Sequence, residues 1–193
     1  DHVWEFEMPR SGIDQKQLIE IITEVFIDKG SEGATLTELS RATGLKKASL
    51  YYHFPGGKKE IIETVVRFVI SRLESEVFSH LNSDINASIC LSRMVNGFDK
   101  YCDGGKKNCI FISLNSGNQA RELRDGITGQ FKVWIHLLTK TIANTGISMK
   151  RSERMASDVF SSLYGSLALS QLLDEPKIFR KNTKRLHKKF ASL

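Results

Sequence analysis

The chain has 193 residues, 40% of them apolar, with 28 Lys and Arg against 22 Asp and Glu, a formal net charge of +6. This length is enough to bury a core, and the cationic balance suits a polyanionic partner without establishing one. Three irregularly placed cysteines (Cys90, Cys102, Cys109) exclude a disulfide framework and fit a reducing cytosol, and no apolar run approaches the roughly 18 residues that span a bilayer.

No signal peptide is expected, and Met8 is read as the native start, with the residues before it excluded from fold reasoning. The first helix is expected from Ile13 to Lys29, capped by Ser11, with Leu18, Ile21, Ile22, Val25 and Phe26 as its buried stripe and Gly30 as its stop. Thr35 with Glu38 has capping-box spacing, so a second helix is expected to begin near Leu36. Leu39 and Ala42 would face inward, and Gly44 with Leu45 would form the tight turn of a helix-turn-helix. The third helix then runs from Lys46 to His53, with Leu50 and Phe54 as its core anchors. Between Arg41 and Lys59 lie five basic residues (Arg41, Lys46, Lys47, Lys58, Lys59) and no Asp or Glu, whereas the wider segment 10–60 is nearly balanced at eight basic and seven acidic. The cations are therefore concentrated on the third helix and its exit, where Tyr51, Tyr52 and His53 add donors that reach phosphate oxygens or base edges.

After Pro55-Gly56-Gly57, a long helix is expected from Lys58 to about Leu81, with an apolar stripe too broad for one surface, which would make it a lever between two bodies. Lys58 opens that helix, where the free N–H groups favour a phosphate. Further helices are expected at Asn86–Cys102, Cys109–Asn118, Arg121–Asn144, Ser152–Leu173 and Lys177–Phe190. The chain is thus expected to be all-α, with a helix-turn-helix domain at 9–60 and a second helical domain at 61–193.

The lead-in F…KG…AT…ELS…GL and the run SLYYHFPGGK, within Ile13 to about Val66, resemble the N-terminal DNA-binding domain of the tetracycline-repressor (TetR) family of transcriptional regulators. The longer Pro55-Gly56-Gly57 loop is similar to the branch linked to multidrug efflux control. The resemblance implies that Thr35, Thr37, Lys46, Lys47, Ser49, Tyr51, Tyr52, His53 and Lys58 face DNA. Tyr51, His53 and Lys58 would mainly hold phosphates, and Lys47, Ser49 and Tyr52 would sense bases. Lys46 departs from the family pattern, which has a Ser or Thr N-cap there.

The resemblance further implies a homodimer through the last two helices, a palindromic double-stranded DNA operator, and a C-terminal domain that takes a small apolar or amphipathic effector and releases the operator. Phe68, Arg72, Phe98, Tyr101, Phe111, Asn115, Trp134 and Tyr164 are the expected ligand contacts, with Phe131, Ser113, Asn118 and His136 as further aromatic and polar groups on the same helices. The alternatives are a thiol sensor, in which lysines 106 and 107 would activate Cys102 and Cys109, and an architectural DNA binder without sequence preference. The chain has no nucleophile elbow, no phosphate-binding glycine loop and no zinc-type His or Cys pair, so neither an enzyme nor a metal or cofactor is expected.

Overall fold

A computed structural model of the chain describes residues 14–82, 86–114 and 121–193, and among these the regular elements are all helical. They are α1 (Gln15–Gly33), α2 (Leu36–Thr43), α3 (Lys47–His53), α4 (Gly57–Glu76), α5 (Ala87–Tyr101), α6 (Ile110–Leu114), α7 (Arg121–Ala143), α8 (Met149–Leu172) and α9 (Lys177–Ala191). Short 3-10 turns lie at Phe78–Asn82 and Asp103–Gly105. Ser11, Ile13, Asn115 and Asn118 lie outside the described residues.

The cap of α1 is Asp14, whose carboxylate accepts from Lys16 N at 3.3 Å, not the expected Ser11. Its buried side includes Ile19 and Thr23, while Ile21 is half exposed. Residues 19, 23 and 27 follow one another at steps of four, and this second line faces α6, where Ser113 Oγ donates to Ile27 O at 3.0 Å. The single-stripe expectation missed it because α1 packs on two sides. Gly30 breaks the helix as expected, with φ +66°, and one more turn follows to Gly33.

α1 packs on α4 and on α2, and α2 on α3, to form a head; α5 and α7 also pack on α4 and, with α8 and α9, form a body, while α6 lies against α1. α4 continues without a break across residues 60 and 61, with Ile61, Ile62, Val65, Val66, Val69 and Leu73 all buried. It stops at Glu76, short of the expected Leu81. α5 crosses this end so closely that a Cβ on Gly97 would fall on the Glu76 carbonyl oxygen and 3.2 Å from Val77 Cα. α5 and α9 run antiparallel: Ser88 Oγ donates to Phe190 O at 2.6 Å at one end, and Thr183 Oγ1 donates to Asp99 Oδ1 at 3.4 Å at the other. α7, α8 and α9 form successive hairpins through short connections at 144–148 and 173–176.

A substitution at the α4–α5 crossing separates close packing from helix propensity. Gly97→Ala is expected to lower stability by about 1–3 kcal/mol through overpacking against backbone. Gly126→Ala on α7, where nothing lies within 4 Å of the added carbon, is expected to raise it by about 0.5–1 kcal/mol. Thermal unfolding of the two variants checks both signs.

Candidate nucleic-acid interface

The turn between α2 and α3 is built from local bonds. Thr35 Oγ1 accepts from Glu38 N at 3.2 Å, so half of the expected capping box is present. The reciprocal half is not formed: Glu38 turns its carboxylate to Arg41 Nη2 at 2.8 Å and Lys29 Nζ at 3.2 Å, and these two cations hold it below the usual carboxylate range. Arg41, counted among the free cations of this segment, is thereby paired. Leu39 and Thr43 face inward in place of the expected Leu39 and Ala42, because Thr43 lies four residues on and its hydroxyl bonds back to Leu39 O at 2.7 Å, while Ala42 is rotated out to solvent. Gly44 takes the left-handed conformation (φ +70°) that lets the chain reverse, and Ser40 Oγ holds Leu45 O at 2.6 Å across the turn.

Burial of Leu50 and Phe54 fixes the rotation of α3. Its opposite face presents Lys46, Lys47, Tyr51 and Tyr52, with the two tyrosines 49% and 69% exposed. Ala48 shares this face and was missed by sequence reasoning, although its steps of three and four to Tyr51 and Tyr52 mark it. Ser49 and His53 are half-buried at the flanks, with the His53 ring edge-on to Tyr52 at 5.8 Å. Thr35 and Thr37 are exposed at the start of α2. Lys46 occupies the N-cap position of α3 and makes no side-chain capping bond.

Lys58 is half-buried in the first turn of α4. That helix start already holds an anion: Glu60 Oε2 accepts from Gly56 N at 2.6 Å. Gly57, at φ +64°, turns the chain into α4, and a Cβ placed on it would lie 3.5 Å from Tyr51 Cε1.

In the body, the expected ligand contacts fall into two groups. Phe98, Tyr101, Phe111, Trp134 and Tyr164 belong to one aromatic network, joined by Phe131 and by Phe78, Phe160 and Phe179, which sequence reasoning did not single out. Arg72 stands over the Tyr101 ring at 5.5 Å and pairs with Glu76 at 2.8 Å. Phe68 is partly buried against the core and joins no ring pair among the described residues, and Asn115 lies outside them. His136 is exposed, and Ser113, expected near a pocket, instead ties α6 to α1. Cys102 and Cys109 are both fully buried; burial pushes the Cys109 thiol up to about 11 and the Cys102 thiol upward as well. The expected activation by lysines does not occur, because Lys107 turns to Glu24 of α1 and Lys106 to Asp103 at 3.6 Å.

The Lys107–Glu24 pair belongs to a polar seam between head and body. A cleft of about 610 Å³ lies along it, lined by Glu24, Asp28, Lys29, Arg41, Lys106 and Lys107 among others. Behind it, Gln171 Nε2 donates to Gly105 O at 2.7 Å, and a Cβ on Gly105 would lie 2.7 Å from Phe179 Cβ. The 103–108 turn thus connects the α8–α9 corner to α1. A partly exposed pair contributes about 0–1 kcal/mol, so Lys107→Ala is expected to leave the melting temperature nearly unchanged while speeding amide hydrogen exchange in residues 24–30. Unchanged exchange there would remove the pair from the seam's function.

Comparison with known proteins fits this geometry. Residues 18–65 match the family of bacterial regulatory proteins, tetR family. The chain is 22% identical over 173 residues to the HTH-type transcriptional regulator LmrA of Bacillus subtilis (strain 168), covering 82% of this chain and 87% of that protein. It is 26% identical over 127 residues to IcaR of Staphylococcus aureus (strain Newman), the negative transcriptional regulator of the biofilm operon icaADBC, covering 66% of each. Its fold is that of a TetR transcriptional regulator from Legionella pneumophila (TM-score 0.79, 17% identity, 94% of this chain and 99% of that one). It is also that of the TetR family transcriptional regulator CifR, whose cysteine mutant was solved complexed with 26-base-pair double-strand operator DNA (TM-score 0.73, 17% identity, 94% and 98% covered). With a TetR-type DNA-binding domain at residues 18–65, regulator relatives and the fold of TetR regulators, the chain is a DNA-binding transcriptional regulator, not an enzyme.

Proposed function

We propose that the chain is a cytoplasmic, homodimeric repressor that reads a palindromic operator through α3 and is released from it by a small apolar or amphipathic ligand held in the body. The head corresponds to residues 9–60 and the effector domain to 61–193. The observation that carries this reading is the outer face of α3. Five consecutive-turn positions, Lys46, Lys47, Ala48, Tyr51 and Tyr52, stand exposed without an acidic residue among them, while Leu50 and Phe54 lock the helix from behind. Lys46 and Lys47 supply phosphate or guanine contacts, Ala48 fits a thymine methyl, and the tyrosine hydroxyls reach backbone or base edges. Thr35, Thr37, Ser49, His53 and Lys58 border this face and complete the DNA contacts. The Glu60 carboxylate at the α4 start favours Lys58 Nζ, not the helix N–H groups, as the phosphate ligand there.

A two-fold dimer is supported by α8. Ser161, Gly165, Leu169 and Leu172 follow one another at steps of three or four on its exposed side, Leu172 is 80% exposed, and nothing lies within 4 Å of a Cβ placed on Gly165. Such a stripe admits a second helix at close range, and α9 lies beside it. Two α3 helices in a dimer would then meet half-sites about one DNA turn apart. Ligand release requires differential affinity: a shift from 1:99 to 99:1 takes about 5.5 kcal/mol of preference for the DNA-incompetent state. α4, with Arg72 against Tyr101 at its far end, transmits the change, and the 103–108 seam supplies a second mechanical link. Fully buried, protonated thiols disfavour the thiol-sensor alternative.

Selection of bound sites from a random duplex library with the purified chain tests the DNA reading. A palindrome preferred by about 10³-fold or more is expected; binding without preference would leave an architectural role. Lys46→Ser is expected to stabilise the fold by about 1 kcal/mol through a restored cap. It should also weaken operator binding and lower the salt slope by about 0.9 per half-site phosphate lost. Leu172→Glu is expected to yield monomers in sedimentation and to reduce operator affinity while the monomer keeps its helical signal; an intact dimer would place the interface elsewhere.

A further inference from the structure

Trp134 sits at the centre of the body's aromatic network with 0% exposure, and its indole Nε1 has no hydrogen-bond partner among the described residues. Phe78 stacks on the indole at 4.4 Å with 16° between planes, and Phe131 and Phe111 approach at 5.3 and 6.3 Å. Tryptophan nitrogen is only a donor, and a buried donor left unpaired is a rare and costly feature that a phenylalanine at this position would avoid. The cost disappears if a molecule entering the network brings an acceptor.

The network also indicates how that molecule arrives and what it cannot carry. Phe131 and Tyr164, 5.4 Å apart, are only partly buried, so the ring layer beside Trp134 reaches the surface at these two side chains. Rotation of flat rings opens space without breaking any hydrogen-bonded backbone. The charged group that touches the network is Arg72, above the Tyr101 ring and already paired with Glu76. The hydroxyl of Tyr164 and the thiol of Cys109, 3.9 Å apart, are held protonated by burial. No described group in this network is free to balance an ionic ligand, and burying an uncompensated ion is far more costly than burying a neutral acceptor.

We propose that the effector is an uncharged, ring-bearing apolar molecule with a hydrogen-bond acceptor, such as a ketone or ester carbonyl, and that Trp134 Nε1 binds this acceptor. The proposal rests on the reading of the body as the effector domain and names the chemical class that domain takes. Trp134 thereby acts as a ligand-recognition residue, and Phe131 and Tyr164 form the entrance.

Four naphthalenes of similar size test it by calorimetric titration of the full chain: 2-acetylnaphthalene, its carbonyl-free counterpart 2-isopropenylnaphthalene, the anion 2-naphthoate and the cation trimethyl(2-naphthyl)ammonium. The acetyl compound is expected to bind at least about tenfold more tightly than the isopropenyl compound, in keeping with one buried hydrogen bond, and the two ions more weakly than either. In the unmodified protein the Trp134 indole proton resonance is expected to move downfield with the acetyl compound only. Trp134→Phe is expected to remove the tenfold advantage, so that the acetyl and isopropenyl compounds bind alike. Equal binding of the acetyl and isopropenyl compounds would overturn the donor role and leave the body's effector role standing. Tighter binding of either ion would overturn the neutral class. Saturable binding of none of the four would overturn the effector reading of this network itself, and the proposal with it.

Discussion

The constraint on which the rest of the molecule depends is the burial of one broad face of α4 from Ile61 to Leu73. Ile61, Ile62, Val65, Val66, Val69 and Leu73 span an arc of roughly 140° around the helix, and they are buried because the head covers this face in the first half of α4 and the body in the second. Fully burying each such side chain contributes about 1.5–3 kcal/mol, so α4 cannot slide or turn relative to either part without exposing several at once. Its C-terminal end is fixed further by Gly97, where α5 passes without room for a side-chain carbon. Motion of the body therefore reaches the head as displacement of a rigid rod, and packed cores of this kind switch between discrete arrangements more readily than they deform.

The head is a short cascade built on that rod. Leu50 and Phe54 dock, the turn at Gly44 permits the angle, and the opposite face of α3 then points outward with its cations and tyrosines. Glu38 shows how one carboxylate can tie several elements: it caps nothing reciprocally, but joins α1 through Lys29 to α2 through Arg41. This pairing removes Arg41 from the cations available to a phosphate and leaves Lys46 and Lys47 exposed at the start of α3. The absence of a capping hydroxyl at Lys46 sets helix stability against positive potential at the same position.

The body is organised differently, by rings and neutral polar groups instead of charge. Two cysteines, Tyr101 and one indole lie buried near one another or within one ring network that the partly buried Tyr164 joins, and desolvation suppresses ionisation of the thiols and of both tyrosine hydroxyls. Such a region discriminates by shape and by single hydrogen bonds. The α8–α9 corner touches it from one side through Phe179 and Tyr164, and touches the 103–108 turn from the other through Gln171. The helices proposed for dimerisation, the aromatic network and the head seam are thus consecutive in space.

Local signals in the sequence determined the head. Thr35 as a cap, Gly44 as a left-handed residue, and Leu50 with Phe54 as a buried pair each depend on neighbours within four or five positions, so they were legible in the chain, as were most helix limits in the body. What tertiary structure decided were the features whose energy comes from residues far away in the sequence. Ile19 is buried in place of Ile21 because α6 covers a second side of α1, and α4 stops at Glu76 because α5 crosses there. Cys102 and Cys109 are inert because nearby lysines found carboxylates elsewhere while the thiols lost their water. Phe78, Phe160 and Phe179 joined the network, and the Trp134 indole was left without a hydrogen-bond partner among the described residues, through contacts between residues far apart in the chain. Hydrogen bonds and dihedral preferences act over one turn of chain, whereas desolvation and ring packing are set by whatever the fold brings alongside.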